Sequence, residues 1–247
     1  MPAAMVDRHT AALFADCMTR AAAAHRRGDL ATATTEAEAA LALVPGQPEA
    51  LRWLGDLART RGDDAAAESC WRASLATHEA QPAVWNNLGN LLARTNRVDA
   101  SLSAFARAIA LQPDYADAHY NLARVRHRAG HGAEAAASLQ NALALKGGPR
   151  EAMLQLAARL QENAGRLDEA LGTLETALQR APGKAALHHN RGVLLQRLNR
   201  PAEALAAFDA ALALGAADAD THYNRGNALQ ALGRAEEALA AYRRALA

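Results

Sequence analysis

Apolar positions along the chain form two kinds of helical stripe that alternate, and the breaks between them recur at a nearly constant distance. Small residues mark one stripe: Gly55, Gly89, Ala123 and Ala157 are 34 apart, Gly192 follows after 35, and Gly226 after another 34. A second series, Ala33, Ala67, Ser101, Ala135, Ala170, Ala204 and Ala238, keeps the same spacing with the same single extra residue, which places that residue between Ala157 and Ala170. Such a period is the mark of a repeat array. Units counted from Phe14, Pro48, Pro82, Ala116, Arg150, Ala185 and Ala219 cover residues 14–247, and residues 1–13 read as an N-terminal extension of the first helix. In the first half of each unit, large or apolar groups at positions 4, 7 and 11 surround a small residue at position 8, which is one face of a helix. The second half places a small residue at position 20, a bulky one at 24 (Trp71, Phe105, Leu139, Leu174, Phe208, Tyr242) and a small one at 27.

Between the halves, position 15 reads Gly28, Gly62, Asn96, Gly130, Gly165, Asn199 and Gly233. These are the two residue types that best tolerate the left-handed conformation ending a helix. Second helices run toward Pro45, Pro113 and Pro182 or stop before Pro82 and Pro149, because proline lacks the amide that would continue a helix. The unit is helix, tight turn, helix, short loop. Short side chains at positions 8, 20 and 27 let helices approach closely, and a larger group there would overpack the contact by ~1 to 3 kcal/mol.

Composition narrows the reading further. With 247 residues, 51% hydrophobic and only 4% aromatic, the chain suits close-packed, Ala-rich helices and predicts almost no strand. A net charge of +1 gives no global pull toward nucleic acid or an anionic membrane surface. Cys17 and Cys70 form no metal-ligand spacing, which fits a reduced compartment. No signal peptide or long apolar span is evident, so a soluble, cytoplasmic chain is expected.

The pattern resembles the tetratricopeptide repeat family. Its third repeat carries Trp85, Leu88, Gly89, Leu92, Ser101, Phe105, Ala108 and Pro113 in the family's order. Repeat 1 departs most, with Cys17, Arg20 and Ala24 where bulkier apolar groups are usual. The resemblance implies an all-α fold, a right-handed superhelical solenoid of about seven helix-turn-helix repeats, in which first helices line a concave groove used for recognition. It implies a non-catalytic scaffold for protein–protein interaction rather than an enzyme.

Position 6 of the first helix points roughly opposite the stripe at 4, 7, 8 and 11, and so is expected to face that groove. It holds Asn87, Asn121, Asn190 and Asn224, with Gln155 in repeat 5, while Thr19 and Trp53 break the series. Asn costs up to ~0.7 kcal/mol relative to Ala inside a helix, so its recurrence calls for a reason. One reason is a ladder of amides reading the backbone of an extended peptide; the repeat region is similar in this respect to that of the O-GlcNAc transferases. The other is a solvated position copied by duplication, or hydrogen bonds to a neighbouring repeat. Asn86, Asn90 and Asn227 add amides nearby, and Arg52, Arg59, Arg94, Arg124 and Arg128 make repeats 2 to 4 locally basic, which suits an acidic or phosphorylated ligand segment. The clamp with which some family members hold chaperone C-termini is not expected, since Glu151 and Gln155 stand where its last basic groups belong.

His119, His188 and His222 fall at position 4 and read as packing residues; His127 and His131 are separated by a turn and do not read as paired zinc ligands. No catalytic, metal or cofactor site is expected, and protein or peptide is the partner class, with neither nucleic acid nor membrane. The sequence ends after the second helix of repeat 7, where Leu229, Leu232, Leu239 and Tyr242 suggest an uncovered apolar face suited to self-association. Two alternatives to the free-standing scaffold stay open: the substrate-recruiting region of a longer glycosyltransferase or oxygenase, and a self-associating assembly module.

Overall fold

A computed structural model describes residues 7–147, 150–215 and 218–246, and among them the chain is helical without a strand. Two compact units meet in sequence between Asn121 and Leu122. The first contains α1 (Arg8–Arg26), α2 (Leu30–Leu43), α3 (Pro48–Thr60), α4 (Asp64–Thr77), α5 (Pro82–Arg94), α6 (Val98–Leu111) and the start of α7 (Ala116–Arg128). The second continues from α7 through α8 (Gly132–Ala144), α9 (Arg150–Asn163), α10 (Leu167–Arg180), α11 (Ala185–Arg197), α12 (Pro201–Ala213), α13 (Ala219–Ala231) and α14 (Ala235–Ala245). Inside the units helices pack as pairs, α1 on α2, α3 on α4 and α5 on α6 in one, α9 on α10, α11 on α12 and α13 on α14 in the other. Pro149 lies outside the described residues.

The turns within pairs carry the left-handed residue that the sequence demands. Asn96 (φ 60°) and Asn199 (φ 56°) have positive φ, and the amides after them, Arg97 and Arg200, donate to the carbonyls of Leu92 and Leu195 at 2.9 Å. This returns the backbone on itself and satisfies two helix-end carbonyls. Several helix starts are held by an aspartate: Asp63 accepts from the Ala66 amide at 3.0 Å and Asp218 from the Thr221 amide at 2.7 Å. The Thr221 amide in particular holds the Asp218 carboxyl below its ordinary range.

Position 8 meets position 24 at contact distance. A Cβ on Gly89 would come within 2.7 Å of the Phe105 ring, and one on Gly192 within 2.6 Å of the Phe208 ring; both rings are fully buried. Glycine is required here because aromatic rings occupy the space a methyl would need.

Position 4 proves to be more than a packing site. The Trp85 indole N–H donates to the carbonyl of Glu79 at 3.0 Å, His119 Nε2 lies 3.0 Å from the Pro113 carbonyl, and His188 Nε2 lies 2.8 Å from that of Pro182. A carbonyl can only accept, so both histidines carry their proton on Nε2, as the indole does on its nitrogen. The residue six before His222 lies outside the described residues.

Repeat 5 departs from the count made on the sequence. α11 buries Leu187, Gly192 and Leu194, and α13 buries Thr221, Gly226 and Ala228; the residues of α9 with the same intervals are Met153, Ala158 and Leu160. Ala158, not Ala157, packs in the core cluster with Leu174. Gln161 accepts from Thr173 at 2.8 Å, matching the Arg126 to Ser138 bond of the preceding repeat. The extra residue therefore precedes Glu151 rather than falling between Ala157 and Ala170, and α9 absorbs it at its start, with 14 residues against 13 in α11. Two adjacent alanines made the two alignments equivalent on paper.

At the far end of the second unit, Leu229 is fully buried, which corrects its place on an exposed face, and Tyr242 is half-buried. Leu232 (36% exposed) and Leu239 (51%) do face outward.

Candidate functional site

The recurring amides behave differently in the two units. In the first, Asn87 Nδ2 donates to Asp56 Oδ1 at 3.2 Å, an oxygen that also accepts from the Trp71 indole at 3.2 Å. Arg52 Nη1 stands 3.7 Å from the other oxygen of the same carboxylate. Burial pushes the Asp56 carboxyl above its ordinary range, against the opposing pull of Arg52, Trp71, Arg59 and Asn87. One repeat on, Asn121 Nδ2 donates to Asn86 Oδ1 at 3.0 Å, and both residues are buried. The expectation that Asn86, Asn87 and Asn121 look outward is thus corrected: in these repeats position 6 reaches back to the first helix of the preceding repeat, where an uncompensated amide would be costly. Asn90, half-buried, makes no side-chain hydrogen bond among the described residues.

In the second unit, Asn190 on α11 and Asn224 on α13 are half-buried, and neither side-chain amide is hydrogen-bonded among the described residues. Only the backbone carbonyl of Asn224 is engaged, accepting from Gln196 Nε2 at 2.7 Å. Asn227 is occupied, since the Tyr242 hydroxyl lies 2.9 Å from its Oδ1 and 2.9 Å from Gln230 Oε1. With repeat 5 realigned, Gln155 stands at position 5, level with His189 and Tyr223, and donates weakly to Glu151 at 3.3 Å; buried Leu156 takes position 6. The run of amides is interrupted there.

The basic residues of repeats 2 to 4 are less available than the sequence suggests. Arg52 faces Asp56, and Arg94 is paired with Asp64. Arg124 and Arg128 are exposed on α7. Among the described residues no group of three or more His, Cys, Asp or Glu could hold a metal ion, and no helix is long and apolar enough to cross a membrane.

A cavity that the sequence reading missed opens in the second unit, with a volume of about 180 Å³. Its walls are Ala158 of α9, Leu174 of α10, and Val193 and Leu194 of α11. Gln155, Arg159, Glu162 and Asn190 complete its lining. Where the next repeat packs Gly192 against Phe208, this one has Ala158 and Leu174, as repeat 4 has Ala123 and Leu139, and a leucine side chain falls short of a phenyl ring. Glu162 is tied to Arg197 at 2.6 Å, whereas Arg159 is exposed and makes no ion pair among the described residues.

Paired helices, left-handed turns and ring-against-glycine contacts repeated along the chain define an α-helical repeat protein. A tetratricopeptide repeat model matches residues 18–82, 120–186 and 155–219, a second matches 219–247, and a TPR repeat model matches 89–130. The chain belongs to the tetratricopeptide repeat family. No curated protein sequence matches it. Among solved structures it is similar to a tetratricopeptide repeat protein from Parabacteroides merdae (18% identity, 94% of this chain and 92% of that one, TM-score 0.70). It is also similar to pilF of Pseudomonas aeruginosa (17% identity, 87% and 97%, TM-score 0.74). A third, YrrB, is described as a TPR protein with an unusual peptide-binding site (21% identity, 71% and 90%, TM-score 0.62).

Proposed function

We propose that the chain is a non-catalytic protein-interaction scaffold that binds an extended peptide on the first helices of its second unit. The observation that carries this reading is the pair of unengaged amides, Asn190 and Asn224, at one repeat position on successive first helices. Each can donate to and accept from a peptide unit, so together they read backbone spacing with little demand on side chains. Their use of a residue with poor helix propensity fits such a role, since no internal bond compensates them. YrrB, of similar fold, is a peptide-binding protein by its description. In the first unit Asn90 is the remaining candidate for a peptide contact.

The reading is tested by panning a random peptide library on the protein and measuring selected peptides by fluorescence polarisation against Asn190→Ala/Asn224→Ala. Weakened binding with unchanged helicity is expected; undiminished binding would refute the amide role. Self-association is a second reading, favoured because Leu239 is 51% exposed whereas its counterparts Leu171 and Leu205 are buried at 6% and 7%. Light scattering over a concentration series checks it, and a monomer throughout would exclude it.

A further inference from the structure

We infer that the cavity between α9, α10 and α11 is a specificity pocket, taking one leucine- or methionine-sized side chain of a bound peptide that carries a carboxylate close by. This rests on the peptide-binding reading and adds to it what the ligand must look like. Three observations select the occupant. Ala158, Leu174, Val193 and Leu194 give the lining an aliphatic half that suits an apolar side chain, beside the polar half formed by Gln155, Arg159, Glu162 and Asn190. A volume of about 180 Å³ accommodates a single side chain and not a second helix or a folded domain. In that polar half, the Arg159 guanidinium is exposed and without an ion pair among the described residues, while the one carboxylate beside it, Glu162, is committed to Arg197. A planar cation left over beside the aliphatic half of the lining suits an acidic residue flanking the anchor.

Asn190 gives the pocket its place in the groove. It lines the same cavity, so a peptide whose backbone meets the Asn190 amide has a neighbouring side chain within reach of Leu174. The next repeat exchanges the pair Ala158 and Leu174 for a glycine and an aromatic ring, and Gly192 packs directly against Phe208. That exchange supplies the means of closing the pocket: Ala158→Gly together with Leu174→Phe introduces a pairing this fold already packs.

The experiment pans a random dodecapeptide phage library on the whole chain, then measures synthetic copies of enriched peptides by fluorescence polarisation. Enrichment of Leu, Met or Ile at one position with Asp or Glu within two residues is expected. Changing that aliphatic residue of the peptide to Ala is expected to weaken binding to the unaltered protein about tenfold or more. The Ala158→Gly/Leu174→Phe variant, checked for folding by circular dichroism, is expected to show a loss of similar size. Arg159→Glu, which reverses the exposed charge at the pocket, is expected to weaken acidic peptides several-fold. Enriched peptides with no aliphatic position, or equal binding to the filled variant, would overturn the pocket while leaving the groove standing. If no peptide enriches at all, the groove reading falls and the pocket with it.

Discussion

The same residue at the same repeat position serves two ends in the two units. In the first unit the amides of Asn87 and Asn121 close on Asp56 and Asn86, so they help join successive repeats. In the second, Asn190 and Asn224 have the same helical address and no internal partner, and a cavity lined by Leu174 lies beside Asn190. A sequence motif in a repeat protein therefore does not carry one role; the residue that receives it, Asp56 or Asn86 on the first helix of the preceding repeat, decides whether it is structural or available.

The largest test of this contrast is Asn121→Ala, which strands the buried Asn86 oxygen and is expected to destabilise by about 1–3 kcal/mol in urea unfolding. Asn190→Ala is expected to leave stability unchanged or raise it by up to ~0.7 kcal/mol, through helix propensity alone. Equal losses at the two sites would erase the distinction. Gly192→Ala, which sets a methyl against Phe208, is expected to cost about 1–3 kcal/mol by thermal unfolding. Asn96→Ala and Asn199→Ala, one in each unit, are expected to cost about 1–2 kcal/mol each, because both force an ordinary side chain into the left-handed region. A cost at one and not the other would show that the turns, too, differ between units. The smallest effect concerns Asp56. Burial raises its carboxyl pKa in the folded state, so its contribution to stability is greatest below the ordinary carboxylate range and diminishes as pH rises through the raised value. Asp56→Asn keeps an oxygen for Trp71 and Asn87, and a titration of stability against pH is expected to lose this component.

The helix pairs, the turns at Asn96 and Asn199 and the glycine–ring contacts were legible in the sequence because each depends on residues close along the chain or one helix away, and the period repeats them. What escaped was set by partners in other repeats. Nothing local in Asn121 announces Asn86, thirty-five residues earlier, as its acceptor. The one-residue shift of α9 was hidden because Ala157 and Ala158 are chemically identical and only burial separates them. The cavity escaped because Leu174, like Leu139 in the preceding repeat, reads as a conservative exchange for an aromatic ring and says nothing of the space beside it. Of the histidines at position 4, His119 is buried as expected whereas His188 and His222 are only half-buried, and the hydrogen bonds of His119 and His188 to the preceding loop were missed because a ring nitrogen does not enter a hydrophobic pattern.

Those ring bonds bear on how the chain reaches its structure. Each links a side chain to a carbonyl six residues earlier, so the loop it fixes closes over a very short stretch at little entropic cost. A junction between repeats made this way can form before distant parts of the chain meet, and an array of such junctions can start ordering at Trp85, His119 or His188 and spread from there. The contact order stays low however many repeats are joined, which predicts rapid folding with more than one route.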